Sequence, residues 1–184
     1  MIPLGVLASG RVASSGVVLT DDFNRADSTS IGAAWQETAG DWSIDTNALR
    51  SSAGVGNHVK HLTPLSTNDQ YAQAALTTGN GAPGLILRYT GANNYLFGLA
   101  GTGAYQIHKM LSGATTLLAT LATSPSYPMT LRFEAEGTAL RLYRNGSLVL
   151  STTDATVPAA YYVGLRNGAG GTSAIFDDFE AGDL

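Results

Sequence analysis

Leu140-Arg141-Leu142-Tyr143-Arg144-Asn145-Gly146-Ser147-Leu148-Val149-Leu150 decides how this chain folds. Leucine returns at every second position on both sides of Asn145-Gly146, the period of a strand with one buried face. Asn-Gly supplies the positive φ angles of a type I′ turn, so the stretch is an antiparallel hairpin. A second hairpin follows from Trp42-Ser43-Ile44-Asp45-Thr46-Asn47-Ala48-Leu49, with Trp42, Ile44 and Leu49 turned to a core across a polar turn. Working outward, strands are expected at 17–20, 41–45, 47–52, 58–63, 70–77, 84–90, 94–100 and 103–110. Further strands are expected at 114–121, 128–136, 139–144, 147–152, 160–166 and 173–181. No stretch holds a helical apolar repeat for three turns. About fourteen strands in one domain imply two stacked sheets, an all-β class.

The chain has 184 residues and no cysteine, enough to bury a core in one domain without disulfides. Charged residues are 13% of the chain, against a usual ~25%, so its surface is built largely from small neutral groups. The net charge is −4 and Lys60 and Lys109 are the only lysines, which argues against a nucleic-acid or anionic-membrane partner. Met1-Ile2-Pro3-Leu4-Gly5-Val6-Leu7-Ala8 lacks the positive start of a secretory leader and is too short to span a bilayer. The chain is therefore read as made in the cytoplasm. Residues 1–16 show no periodicity and read as an extended arm, leaving 17–184 as the sandwich domain.

Asp-Asp-Phe occurs twice, at Asp21-Asp22-Phe23 and Asp177-Asp178-Phe179, which places the first and last strands side by side. Around it run Arg25 and Asp27, Gly32 with Trp35, Trp42-x-Ile44, Leu49, Gly84-x-x-x-Arg88, Tyr143-x-Asn145-Gly146, Gly164-Leu165 and Phe176. This order resembles the laminin-G-like or concanavalin-A-like jelly-roll superfamily over residues ~20 to 182. The resemblance implies a two-sheet antiparallel jelly-roll sandwich. The segment Pro3–Val12 is similar to leaders of bacteriophage virion proteins that carry such domains.

Several motifs invite chemistry. Gly79-Asn80-Gly81-Ala82-Pro83-Gly84 matches a dinucleotide fingerprint, but a strand by composition follows it where a helix is required, so it reads as a loop. Asn145-Gly146-Ser147 matches a glycosylation sequon and reads as the hairpin turn. His58 and His61 are three apart in a strand and point to opposite faces, so they do not share an ion. Glu134 and Glu136 share one strand face about 7 Å apart. Glycosidases of the superfamily use paired acids, but their further downstream acid is replaced here by Gly137-Thr138-Ala139-Leu140.

Two candidate sites remain. Asp21, Asp22, Asp177 and Asp178 gather hard oxygen donors of the kind Ca²⁺ takes, and the resemblance implies a structural calcium near these strands. The resemblance also implies carbohydrate binding. Arg88, Gln106, His108, Arg132, Tyr143, Tyr162 and Arg166 alternate with the apolar Leu87, Ile107, Leu131, Phe133, Leu142, Val163 and Leu165, and so face away from the core. The expected function is a non-enzymatic virion protein, in capsid decoration or the tail, made in the host cytoplasm. Residues 1–16 would dock on other virion proteins, with homo-oligomers formed and a cell-surface glycan as a further partner. The alternative is a carbohydrate-binding module, and after it a glycoside hydrolase.

Overall fold

The computed structural model describes residues 16, 18–54, 56–101, 103–168 and 173–184. The arm expected over 1–16 lies outside the described residues except for Gly16. The first strands are β1 (Val18–Asp21), β2 (Trp35–Ala39), β3 (Trp42–Ile44), β4 (Leu49–Ser51) and β5 (His58–His61). The middle of the chain forms β6 (Gln70–Leu76), β7 (Pro83–Gly91), β8 (Asn94–Gly101), β9 (Ala104–Leu111) and β10 (Ala114–Leu121). It ends with β11 (Met129–Glu136), β12 (Ala139–Arg144), β13 (Ser147–Thr153), β14 (Tyr162–Asn167) and β15 (Ile175–Asp183).

These strands make two antiparallel sheets, the jelly-roll sandwich expected from the sequence. The eight-stranded sheet runs β13-β12-β11-β6-β15-β4-β3, with β1 also on β15. The seven-stranded sheet runs β10-β9-β8-β7-β14-β5-β2. The leucine hairpin is β12–β13, and Asn145 and Gly146 take φ of 48° and 78° at its turn. The second hairpin is β3–β4, with Trp42, Ile44 and Leu49 all buried.

The strand β2 is absent from the sequence reading for a physical reason. It is an edge strand held by backbone pairing to β5, and Trp35 is its one fully buried residue, so Gln36-Glu37-Thr38 shows no apolar alternation. The Gly79–Gly84 motif is, as expected, the loop between β6 and β7, and it runs directly into a strand.

Between the sheets lies one continuous core. The seven-stranded sheet contributes Val59, Leu85, Leu87, Leu96, Tyr105, Ile107, Val163 and Leu165. Ala72, Leu76, Leu131, Phe133, Leu140, Leu142 and Phe176 face them from the other sheet. Gly98 makes this close packing possible, since a Cβ there would come within 2.7 Å of Leu142 and 3.1 Å of Phe133.

The repeated Asp-Asp-Phe closes the sandwich as the sequence suggests, with β1 antiparallel to β15 and Asp21 opposite Phe179. Its two phenylalanines converge on Trp35, at ring-centroid distances of 5.7 Å for Phe23 and 4.9 Å for Phe179. Asp21 fixes that tryptophan by accepting its indole N–H at 2.8 Å. Arg25 then holds Asp21 through both carboxylate oxygens, at 2.7 and 3.1 Å, and donates to the Ile31 carbonyl at 2.7 Å. Asp27 accepts from the Thr46 amide at 2.8 Å, tying the segment to the second hairpin.

Candidate functional site

Strand alternation normally gives a sandwich one buried face per sheet. The strands β6 and β11 obey this, alternating buried and partly exposed positions along their length. In contrast, β7 and β8 are buried at nearly every position, so the outward face of the seven-stranded sheet is covered as well. A second apolar cluster sits there: Ile86, Tyr89, Tyr95, Phe97 and Leu99, with Met110 and Tyr162 packed against it.

Polar groups are threaded through this cluster. Arg166 extends from β14 across the sheet, with its guanidinium 4.4 Å from the Phe97 ring centroid, and its Nη1 donates to the Tyr95 hydroxyl. The His108 ring stacks on Phe97 at 4.8 Å with an interplanar angle of 2°. The His58 ring lies 5.7 Å from Tyr89 and 5.5 Å from Tyr95, and Lys60 caps the Tyr162 ring at 4.4 Å. Several polar atoms here are buried without a hydrogen-bond partner: His58 Nε2, both ring nitrogens of His108, and Arg166 Nε.

Burial, reinforced by the Arg166 charge, pushes the His108 imidazole down to about 4 and keeps it neutral. Burial lowers His58 too, against its hydrogen bond to the Gly56 carbonyl, and the Arg166 charge adds to that lowering. Burial also pulls the Arg166 guanidinium below its ordinary range.

The residues singled out for a glycan are divided between sheets. Gln106, His108, Tyr162 and Arg166 lie on the outward face of the seven-stranded sheet, on β9 and β14. Tyr143 and Arg132 lie on the outward face of the other sheet, paired opposite each other on β12 and β11. There Arg132 stacks 3.6 Å from the Tyr71 ring centroid and pairs with Glu134 at 2.8 Å, while Tyr71 donates to Glu180 at 2.6 Å. Glu136 pairs with Arg141 at 2.9 Å.

Arg88 is a structural group. Its φ of 52° marks a bulge in β7 that breaks the alternation, and its side chain turns inward to the carbonyls of Asn68 at 2.9 Å and Gly137 at 2.7 Å. Its own amide donates to Gln70 at 3.0 Å. Alternation alone missed His58, Tyr89, Tyr95 and Phe97 as members of the site. The available signal was that β8, Tyr95-Leu96-Phe97-Gly98-Leu99, is apolar on both faces.

The four bracket aspartates are close enough to feel one another's charge, but their oxygens are engaged separately. All four hydrogen bonds to Asp21 oxygens come from the protein itself: Phe23 N, Arg25 twice, and the Trp35 indole. Burial raises the Asp21 pKa, but these donors outweigh it and hold the carboxyl below its usual range. Asp22 accepts from the Asn24 amide at 3.0 Å and Asp177 from the Asp178 amide at 2.9 Å. Asp22, Asp177 and Asp178 line a shallow cleft with Asn24 and Asn47. Burial, and then the charges of Asp178, Asp22 and Asp21, raise the Asp177 pKa. Among the described residues no three His, Asp or Glu side chains come close enough together to hold an ion, so the residues as placed do not form a calcium site.

No protein-family model matches the chain, and no curated protein matches it. Solved structures do. The carbohydrate binding module CBM66 from Bacillus subtilis superposes with a TM-score of 0.67 at 19% identity, over 80% of this chain and 94% of that one. The beta-glucanase of Bacillus licheniformis superposes with a TM-score of 0.60 at 13% identity, over 92% and 99%. The exoplasmic/lumenal domain of VIP36, in a form bound to Ca²⁺ and mannose, does so with a TM-score of 0.61 at 11% identity, over 82% and 83%. At these identities the likeness establishes the fold, the concanavalin-A-like jelly roll that sugar-binding domains and glycosidases share.

Proposed function

We propose that this chain is a carbohydrate-binding module whose ligand face is the outward face of the seven-stranded sheet. One observation carries the reading: beside the buried aromatic cluster, Tyr162 lies partly exposed on this face as an aromatic ring, and Lys60 Nζ over that ring and the Gln106 amide on the same face offer polar atoms. Sugars present apolar ring faces to aromatic rings and hydroxyls to such atoms, so a glycan satisfies both. The sugar-binding neighbours of the fold raise the prior for this reading by analogy.

Binding without turnover is the second half of the proposal. The strands β5, β7, β8, β9, β10 and β14 contain no Asp or Glu, so the paired carboxylates of glycoside hydrolysis have no place on their faces. Glu134 and Glu136 lie on the other sheet, and each is ion-paired. Calcium has no part in this reading. A virion role is a separate proposal, suggested by the low charge and by the likeness of residues 3–12, which lie outside the described residues. A chain lacking residues 1–16 that still enters particles normally would end it.

A glycan array followed by calorimetry tests the binding proposal. The expected result is micromolar to millimolar binding to a defined polysaccharide, no release of reducing ends, and loss of binding in Gln106→Ala with Tyr162→Ala at an unchanged melting temperature. No retention by any neutral or acidic glycan at millimolar sugar would sink it.

A further inference from the structure

The end strands of a sheet expose rows of unpaired backbone N–H and C=O groups, and proteins guard them with charge, proline, a bulge or a covering segment. One side of this sandwich is guarded. Ser28 exchanges both backbone hydrogen bonds with Ile44 of β3, at 3.0 and 2.8 Å, and β2 carries the exposed Glu37. On the opposite side β10 ends the seven-stranded sheet and packs against β13, which ends the other, and neither strand contains a charged residue or a proline. Every position of β10 is exposed or half-buried, with Leu117 at 48% and Leu121 at 36% exposure, while Leu118 and Ala119 anchor the strand to the core. It pairs with β9 alone, and among the described residues no backbone group outside β9 bonds the backbone of residues 114–120. Its guard is a single bulge at Leu118, where the register shifts between Leu117 and Ala119.

The chemistry of this edge selects its partner. From Met110 to Leu131 the chain has no Asp, Glu, Lys, Arg or His, so a charged partner strand finds no answering charge there, whereas an uncharged one needs none. An antiparallel edge is also its own complement: turned about a two-fold axis perpendicular to the sheet, a second β10 offers N–H groups where the first offers C=O. Such an axis sets residues near it opposite their own images, and any charge there would face a like charge. The strand β10 carries none, on a chain whose net charge of −4 otherwise keeps copies apart. Its threonines and leucines suit the hydroxyl and apolar pairs that stabilise neighbouring strands.

We infer that a second copy of this chain covers the edge, with β10 pairing antiparallel to β10 of that copy about a two-fold axis and joining the two seven-stranded sheets into one. Eight residues make a ladder of about 27 Å, a small interface, so association in the micromolar range is expected. The axis keeps both outward faces on the same side of the joined sheet, so a repeating polysaccharide bound there meets two ligand faces in a row. The pairing itself does not depend on the glycan reading.

Sedimentation of the full chain over a range of micromolar concentrations tests the inference, and the expected result is a reversible monomer–dimer equilibrium. Leu117→Lys sets a charge against its own image and should weaken dimerisation at least tenfold, whereas Gln36→Lys, at an exposed position of β2, should leave it unchanged. Equal melting temperatures of the dilute proteins separate loss of pairing from loss of folding. Because the chain has no cysteine, Leu117→Cys and Gln36→Cys each introduce a single thiol. A short bis-maleimide should join Leu117→Cys chains into dimers and leave Gln36→Cys chains monomeric. A chain that is monomeric throughout overturns the inference. So does a dimer that is indifferent to Leu117→Lys, or one that Leu117→Cys does not crosslink, since another edge or residues 1–16 would then hold the copies together.

Discussion

The two outward faces of this sandwich follow opposite rules. On the eight-stranded sheet the long polar groups are mostly paired, Arg132 with Glu134, Arg141 with Glu136, and Tyr71 with Glu180, with Arg144 on β12 the exception. On the seven-stranded sheet the aromatic rings are buried, the cation has no counter-ion, and three imidazole nitrogens go unsatisfied. The first face meets its charges mostly with its own side chains, whereas the second buries polar groups among rings without pairing them. Satisfied polar surfaces solubilise, and unsatisfied buried ones mark a place where something else is recognised.

The sharpest way to break this contrast is to truncate one ring on each face. Phe97→Ala removes a ring that is 1% exposed and should cost about 3–5 kcal/mol in denaturant unfolding. Tyr143→Ala, at a half-buried position on the other face, should cost about 1 kcal/mol or less. Equal costs would mean that the outward face of the seven-stranded sheet is ordinary surface.

The next contrast is between the two buried arginines. Arg88→Met strips partners from the Asn68 and Gly137 carbonyls and should destabilise by about 2–4 kcal/mol. Arg166→Met removes an uncompensated charge and should be neutral or stabilise by about 1 kcal/mol. If Arg166→Met unfolds the protein as readily as Arg88→Met, the contacts of Arg166 with Tyr95 and Phe97 outweigh the cost of its burial.

Acid should act on the seven-stranded sheet, whose three histidines all have pKa values lowered by burial, His61 on the core side and the other two on the outward face. His108 and His58 have folded pKa values depressed below the ordinary 6.5, so the unfolded chain takes up their protons first as pH falls. Their stabilisation is complete above pH 6.5 and is lost progressively down to about pH 4, where the folded His108 titrates. His108→Gln should flatten the dependence of stability on pH over that interval by about 1–2 kcal/mol in total, read from denaturant midpoints at pH 7 and 4.5. The eight-stranded sheet has no histidine on its outward face and gives no such slope. The smallest effect belongs to that sheet: Glu136→Gln breaks a surface pair with Arg141 and should change stability by less than about 0.5 kcal/mol.

The parts of this molecule that were legible from sequence are those in which one residue has one local consequence. Asn145-Gly146 fixed a turn, alternating leucines fixed the buried side of β12 but not of β13, where Leu148 is 54% exposed beyond a register shift, and the Asp-Asp-Phe repeat announced the β1–β15 pair. Alternation also says which face of a strand a residue occupies, and it placed Gln106, His108 and Arg166 outward correctly. It does not say to which sheet a strand belongs, and for that reason Tyr143 was grouped with residues on the opposite side of the sandwich. Arg88 escaped because a bulge has no strong sequence mark: one residue at φ 52° reverses the direction of its side chain. His58 was read only against His61, whereas its real neighbours, Tyr89 and Tyr95, come from strands paired through long-range contacts.

The pairing of the first and last strands has a mechanical consequence. The two strands are antiparallel, so Val18 lies beside Gly182 at one end of the ribbon, and Asp21 beside Phe179 at the other. Tension applied through residues 18 and 182 loads the ladder one rung at a time, like a zip, and never shears all rungs together. A chain pulled at both of these points therefore sheds β1 at low force, while the Phe23–Trp35–Phe179 stack beyond the last rung stops the tear before it reaches the core.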